Sequence, residues 1–362
     1  MARRSRRSAD AKRAAQPFLG FLPALRVRRR QHTKTAGAAW SGLSRIPLPT
    51  PVRRVAAKRP TARGRTPGRW LRSTYSGPAG SRSYDVYLPV GHRRTTRVPL
   101  VMLLHGCNQA SEEFVAATRF AALADRHGFV IVAPRQSRGY QPGGCWRWYE
   151  SGHQARGAGE PAILAGITAQ LLAEPSRWRI DPSRVYAAGL SAGGAMALVL
   201  AATYPEVFAA IGVHSAPAYR SATGGGSALR AMHGRGAVAA PISRARMAPL
   251  IVIQGTADAV VHVRSGRQVA DQWLAYDTAR STVRRDPQRI TRSRDVAKRS
   301  ADGRRYTVTR WYSARGRKQL EYWQVEGLAH AWSGGLADGS YSDPRGPRAS
   351  TAMWQFFAAH SL

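Results

Sequence analysis

Short, continuously apolar segments alternate with longer segments of helical periodicity along most of the chain. The run "VPLVMLLHG" (98–106) ends in glycine and is typical of a strand buried on both faces of a sheet. Four later segments have the same character: "FVIVAP", "RVYAAG", "FAAIGVHSA" and "PLIVIQGTAD". Because helical segments separate them, the pattern predicts an α/β domain with a largely parallel sheet and helices on both faces.

The helical segments have recognisable ends. "SEEFVAATRFAALADRHG" (111–128) begins with a serine cap and two acids and ends with glycine, so it predicts one helix. Four more helices are predicted at "EPAILAGITAQLLAE", "AGGAMALVLAATYP", "RSGRQVADQWLAYD" and the C-terminal "ASTAMWQFFAAH". No internal repeat interrupts this order.

The flanks of the α/β pattern differ from its centre. Residues 68–77 and 82–90 alternate apolar and polar positions on either side of "PAGS" and predict a β-hairpin, and 305–313 and 319–327 predict a second strand pair. Residues 277–304 are polar and basic and predict an exposed insertion. Residues 1–68 lack periodicity, so we expect a disordered leader followed by a folded domain over 69–362.

The basic residues of the chain are concentrated in this leader. Residues 1–70 carry 19 Lys and Arg against the single acid Asp10, which is half of the formal net charge of +36. Such a segment can bind nucleic acid or anionic surfaces non-specifically, or it has no selected ligand, and no specific nucleic acid is expected. "PFLGFLPAL" (17–25) leads into "RVRRR" instead of a cleavage site, so no clean signal peptide is predicted. No apolar run is long enough to predict a membrane span.

The segment "GLSAG" (189–193) carries the first chemical signal. It follows a predicted strand and precedes a predicted helix, and its glycines allow the sharp turn that exposes a nucleophilic serine above an α/β-hydrolase sheet. Ser191 is therefore the candidate nucleophile. The acid and the base of such a site follow the serine along the chain in that order.

Asp258 and His330 are the candidate acid and base. Asp258 comes just after the buried strand "LIVIQG", and His330 lies in the loop "VEGLAHAWSGG". His262 is the alternative base. We favour His330, because a histidine four positions from the acid would be strained in donating a hydrogen bond to it.

Two backbone N–H groups are needed to stabilise the oxyanion. Ala192, directly after the nucleophile, supplies one, and the loop "LLHGCNQ" supplies the other at Gly106 or Cys107, with His105 shaping the loop. This chemistry needs no cofactor and no metal. Cys107 and Cys145 form no CxxC motif, so zinc is not expected, and from the residues alone they are either buried thiols or one disulfide.

Six spaced motifs together resemble the poly(3-hydroxybutyrate) depolymerase family of esterases, from about residue 82 to the C-terminus. They are "LLHGCNQASEEF", "PGGCWRWYE", "GAGEPAILAGI", "GLSAGGAMALVLAATYPEVFAAIGVHSAP", "GTADAVVH" and "GLAHAWSGG". The resemblance implies an α/β-hydrolase fold with Ser191 as nucleophile, Asp258 as acid, His330 as base and the Cys107 N–H as an oxyanion donor.

The same resemblance implies further features of the site. It pairs Cys107 with Cys145, and it suggests that Trp146, Trp148 and Trp332 form an apolar substrate cleft. It also implies an extracellular or periplasmic location, with a cytoplasmic one left open. The leader and the lack of a separate polymer-binding domain argue against attack on crystalline polyester.

The sequence therefore predicts a serine esterase that acts through an acyl-enzyme. The expected substrates are short-chain poly- or oligo(3-hydroxyalkanoate) esters or related small esters, and the close alternative is a feruloyl or acetylxylan esterase. An alternative of another class is a basic nucleic-acid- or anionic-surface-binding protein on a degenerate hydrolase scaffold. The presence of all three triad residue types in order argues against that alternative.

Overall fold

A computed structural model describes residues 68–238, 246–281, 289–300 and 303–362. Apart from Gly68, the predicted leader lies outside the described residues. The strands are β1 (Arg69–Gly77), β2 (Gly80–Leu88), β3 (Val98–Leu104), β4 (Val130–Pro134), β5 (Ile180–Leu190), β6 (Ala210–His214), β7 (Leu250–Gly255), β8 (Ile290–Arg299), β9 (Arg305–Ser313), β10 (Lys318–Val325), β11 (Trp332–Ser333) and β12 (Ser342–Asp343). The helices are α1 (Ser111–Thr118), α2 (Phe120–His127), α3 (Gly159–Ala173), α4 (Pro175–Trp178), α5 (Ala192–Thr203), α6 (Gly225–Met232), α7 (Arg264–Ser281) and α8 (Ala349–Phe357).

Ten strands form one sheet in the order β1-β2-β4-β3-β5-β6-β7-β10-β9-β8. The central strands β4, β3, β5, β6, β7 and β10 are parallel to one another. Antiparallel pairing joins β1, β2 and β4 at one edge and β10, β9 and β8 at the other. The predicted α/β architecture with a mostly parallel sheet is confirmed.

The sheet is covered on both faces, which explains why its central strands are apolar at successive positions. In β3, Leu100, Met102 and Leu104 belong to one buried cluster with residues of α3, α5 and α7. The alternate residues Val101 and Leu103 belong to a second cluster with residues of α1, α2 and α8. Each fully buried side chain of this kind contributes roughly 1.5–3 kcal/mol relative to exposure.

The single helix predicted over 111–128 is wrong, because the structure has two helices there. The break lies at Arg119, which adopts a left-handed conformation with φ 62° and ends α1. Ser111 is not the cap either: it is the first residue of α1, and its hydroxyl donates to Asp85 Oδ2 at 3.0 Å.

The segment 277–304, predicted as an exposed insertion, contains regular structure where it is described. Helix α7 continues to Ser281, and Ile290–Arg299 form the edge strand β8, paired antiparallel with β9. Most β8 side chains are exposed on both faces, so the strand lacks the apolar alternation that would have revealed it. In the described part of the chain, no helix combines the length and apolar character needed to cross a membrane.

Candidate active site

Ser191 lies on the sharp turn between β5 and α5. Its backbone has φ 57° and ψ −120°, which is strained for a residue with a side chain, and its N–H donates to His214 O at 2.9 Å. A Cβ on Gly193 would collide with the Leu104 carbonyl, and one on Gly189 would collide with the backbone of Gly193. Glycine is therefore required on both sides of the serine for the turn to pack against β3.

Asp258 and His330 form a hydrogen-bonded pair. The His330 Nδ1–H donates to Asp258 Oδ2 at 2.9 Å and lies 3.1 Å from Oδ1. The backbone N–H groups of Val260 and Val261 donate to Asp258 Oδ1 at 3.0 and 2.8 Å, and Gln254 Nε2 donates to Oδ2 at 3.2 Å. The carboxylate is thus held from several sides, with both oxygens within hydrogen-bond distance of the His330 ring.

The structure does not pair Asp258 with His262, the alternative base. The His262 Nδ1 accepts the Arg264 N–H at 3.2 Å, and its own backbone N–H donates to Met232 O. Of the two histidines, His330 is the partner of the acid.

Strand order places Ser191 at the same edge of the sheet as this pair. β5, β6, β7 and β10 are parallel neighbours, so their carboxyl ends lie at one edge of the sheet. Ser191 follows β5, Asp258 follows β7, and His330 follows β10. Among the described residues, the side-chain hydrogen bonds of His330 go to Asp258 alone, and the Ser191 hydroxyl makes none. Nucleophile–base bonds are often long before substrate binds.

His214, the last residue of β6, and Ser215, which follows it, lie around the acid. No role was predicted for either of them from the sequence. His214 is fully buried; its Nε2 accepts the Ser333 N–H at 3.1 Å, so the ring proton is on Nδ1 and is donated to Ser215 Oγ at 3.1 Å. The Ser215 hydroxyl proton is then free to point to Asp258. Both residues lie in the quoted segment "FAAIGVHSAP", but no spacing within it assigns them a role. The one signal was the position of Ser215 after a buried strand, beside the strand that carries the acid.

These contacts explain the acidity of the carboxyl group. Burial alone raises the pKa of Asp258, but the hydrogen bond and charge interaction with His330 outweigh it, helped by the Val261 N–H and the Ser215 side chain. The pKa of Asp258 is therefore below its ordinary value, and the group is ionised at neutral pH. Burial also lowers the pKa of His214 to about 3, so that ring stays neutral.

The loop after β3 lies against the nucleophile. A Cβ on Gly106 would be 3.6 Å from Ser191 Cβ, and the Gly106 N–H is already bound by Gln109 Oε1 at 2.9 Å. In the described part of the chain, the N–H groups of Cys107 and Ala192 have no acceptor. Of the two loop positions that the sequence left open, Cys107 is thus the one with a free donor.

Cys107 and Cys145 form a disulfide with their Cα atoms 4.3 Å apart. The bond joins the loop after β3 to the segment before Trp146. His105 holds the same region: its Nδ1–H donates to Gly106 O at 2.8 Å, and its Nε2 accepts the Gln136 N–H at 3.1 Å. Burial lowers the pKa of His105 to about 4, so its role is that of a neutral structural residue.

A buried carboxylate that the sequence analysis did not single out stabilises the Cys145 segment. Glu160 accepts hydrogen bonds from Gln136 Nε2 and from the Arg147 N–H, both at 2.7 Å, and pairs with Arg82 at 3.4 Å. Gln136 Nε2 also donates to Cys145 O at 2.8 Å. These bonds fix the far end of the disulfide.

The prediction of a tryptophan-lined cleft is wrong for Trp146 and Trp332. Trp146 is completely buried and its indole N–H donates to His105 O, while Trp332 is 1% exposed and packs edge-on against Phe114 and Phe120. Neither ring is accessible to a substrate. Trp148 is 5% exposed, and its contact with substrate stays a prediction.

The described residues contain no group of three or more His, Cys, Asp or Glu arranged to hold a metal ion. What the site offers is a strained serine, an aspartate–histidine pair and two free backbone donors at one sheet edge. This set of groups suits acyl transfer by a nucleophilic serine.

Comparison with known proteins agrees with this chemistry. A family model described as Esterase PHB depolymerase matches residues 82–289, a range that includes Ser191 and Asp258 but ends before His330. The chain is 41% identical over 160 residues to a poly(3-hydroxyalkanoate) depolymerase C of Paucimonas lemoignei, covering 44% of this chain and 37% of that protein. It is 33% identical over 153 residues to feruloyl esterase B of Neurospora crassa, covering 42% of this chain and 50% of that protein.

Among solved structures, an acetyl xylan esterase from Aspergillus awamori matches with a TM-score of 0.60 and 18% identity, covering 80% of this chain and 99% of that one. At this identity the match concerns the fold, which is that of the α/β-hydrolases. The chain aligns with half or less of the length of the two curated relatives.

Proposed function

The chain belongs to the Esterase PHB depolymerase family, and from that premise we propose that it is a serine esterase with Ser191 as its nucleophile. The observation that carries the proposal is the hydrogen-bonded Asp258–His330 pair, which lies at the same sheet edge as the strained Ser191 turn. A histidine oriented by a carboxylate is the base that a serine hydroxyl needs.

In this mechanism, His330 Nε2 takes the Ser191 proton while Oγ attacks the ester carbonyl carbon. Asp258 accepts the Nδ1–H bond, fixes the tautomer and stabilises the imidazolium. His330 then gives the proton to the leaving alcohol oxygen as the carbon–oxygen bond breaks, which leaves an acyl-serine. A water molecule, deprotonated by the same histidine, hydrolyses the acyl-serine and restores the enzyme.

The negative charge on the tetrahedral intermediate is stabilised by the N–H groups of Cys107 and Ala192. Ala192 is the first residue of α5, so its N–H points from the positive end of the helix dipole. The Cys107–Cys145 disulfide and His105 hold the other donor in place before the reaction starts. Donors that need no reorganisation are the main source of such stabilisation.

For the substrate, we propose short-chain 3-hydroxyalkanoate esters or related small esters. The likeness to the poly(3-hydroxyalkanoate) depolymerase supports this class. The likeness to feruloyl esterase B supports a second candidate, an aromatic acid ester of a carbohydrate. An extracellular or periplasmic location is part of the proposal, and the disulfide supports it because such bonds persist in oxidising compartments. The binding-protein alternative rested on the leader and is not part of the proposal.

The test is hydrolysis of p-nitrophenyl butyrate by the wild type, Ser191→Ala and the control Ser137→Ala, which changes an exposed serine. We expect kcat to fall by about 10³-fold or more in Ser191→Ala and to stay within about twofold in the control. An inactive wild type, or an unchanged Ser191→Ala, would refute the proposal. Hydrolysis of a 3-hydroxybutyrate oligomer, methyl ferulate and acetylxylan then separates the substrate classes.

A further inference from the structure

Tyr341 is an exposed aromatic residue beside the proposed base. Its side chain is 37% exposed, and its ring centroid lies 6.2 Å from that of His330 in an edge-on arrangement at 80°. Its backbone has φ 49°, a left-handed conformation that is costly for a bulky residue. The surrounding structure must therefore hold this residue in place.

Several hydrogen bonds provide that support. The Trp332 N–H donates to Tyr341 O at 2.7 Å, and β11 pairs with β12 directly after Tyr341. On its other side, Gln109 Nε2 donates to Ser340 O and Oγ at 3.0 and 3.1 Å. Gln109 is the same residue whose Oε1 binds the Gly106 N–H, so the Tyr341 loop is tied to the loop that carries the proposed oxyanion donor.

We propose that Tyr341 is a specificity-determining residue that forms one wall of the subsite for the leaving alcohol. The inference rests on the proposed function, because it takes His330 as the general acid. A general acid must come within hydrogen-bond distance of the leaving oxygen, so the alcohol group lies next to the His330 ring. The carbons that follow that oxygen are then within reach of the Tyr341 ring.

The chemistry of this wall favours apolar or planar alcohols. An exposed aromatic ring gains contact area and stacking when it packs against another flat or branched apolar group. The backbone on both sides of Tyr341 is held by hydrogen bonds, so binding at this wall needs little ordering of the loop. Trp146 and Trp332 cannot supply this wall, because both are buried.

The test compares two ester series in wild type and Tyr341→Ala. One series keeps butyrate as the acyl group and changes the alcohol from ethanol to benzyl alcohol; the other keeps ethanol and changes the acyl group from butyrate to acetate. We expect Tyr341→Ala to lower the benzyl-to-ethyl ratio of kcat/KM by about tenfold and to leave the butyrate-to-acetate ratio within about twofold. Tyr341→Phe retains the ring and should retain the benzyl preference.

A ratio of kcat/KM values measured in one preparation does not depend on the fraction of folded enzyme. Partial misfolding of a variant therefore does not change the ratio. Tyr341→Asn is a second truncation, and asparagine tolerates the left-handed backbone. Trp70→Ala, at a ring that is 39% exposed on β1, is the matched control and should leave both ratios unchanged. A shift in the acyl ratio alone, or unchanged ratios in both truncations, would overturn the inference. A wild type inactive on every ester would instead refute the proposed function.

Discussion

Low pH should destabilise the protein through His214, the buried ring beside the proposed catalytic residue Asp258. Burial lowers the pKa of His214 to about 3 from an ordinary value of 6.5. Between these pH values the unfolded chain binds a proton that the folded chain does not. Because the pKa is lowered in the folded state, His214 does not reduce the free energy of unfolding above about pH 7. As the pH falls below 6.5, protonation of the unfolded chain progressively lowers that free energy.

The magnitude follows from the two pKa values. Each tenfold change in proton affinity is worth about 1.4 kcal/mol, so the cost reaches about 5 kcal/mol in the limit below pH 3. Between pH 7 and pH 5 the His214 site alone should lower the free energy of unfolding by about 2 kcal/mol. Complete burial of the ring means that solvent does not screen this cost.

The assay is urea unfolding at pH 7 and pH 5, compared between wild type and His214→Asn. The asparagine amide keeps a donor for Ser215 and does not titrate, so the pH-dependent loss should be smaller in the variant by about 2 kcal/mol. His233→Gln changes an exposed histidine and should retain the wild-type loss. Equal losses in wild type and His214→Asn would refute the reasoning. If the variant does not fold, an NMR titration of wild-type histidines replaces it, and a His214 ring that titrates near pH 6.5 contradicts the account.

Three further predictions concern the proposed machinery. Asp258→Asn should lower kcat by about 10³-fold or more with little change in KM, measured by steady-state hydrolysis of p-nitrophenyl butyrate; a loss under tenfold would contradict the orienting role. Gly193→Ala should abolish activity by displacing the nucleophile, whereas Gly152→Ala, where a Cβ meets nothing within 4 Å, should leave activity intact; equal activities would show that the tight turn is dispensable. Replacing both Cys107 and Cys145 by serine should lower the free energy of unfolding, measured in urea, by about 2–4 kcal/mol and should also reduce kcat. An unchanged kcat would show that the disulfide does not position the proposed oxyanion donor.

The central fold could be predicted from the sequence because its strands are buried on both faces. Continuous apolar runs of strand length, such as 98–104, favour strands buried on both faces, and the helices between them indicate a parallel sheet. The edge strand β8 and the ends of the first two helices were harder to predict. β8 buries little, so its polar sequence indicated an exposed insertion and no strand. The break between α1 and α2 was not predicted because Arg119 is not a typical turn residue.

In the candidate site too, residues in local motifs could be predicted from the sequence, whereas residues that meet only through the fold could not. Ser191, Asp258 and His330 could be proposed from the sequence because each belongs to a local motif that follows a strand. His214 and Ser215 were missed because their role arises only when β6 lies beside β7. Trp332 was misplaced for a related reason: it is near His330 in sequence, but its ring turns into the core, and the exposed ring beside His330 is that of Tyr341.

The most direct test of the account is covalent labelling with a fluorophosphonate, followed by peptide mapping. We expect one adduct per chain, on the Ser191 peptide, with no adduct in Ser191→Ala and labelling slowed by about 10²-fold or more in His330→Ala. The absence of an adduct in wild type, or an adduct on another residue, would contradict the claim that Ser191 is a nucleophile activated by the His330–Asp258 pair.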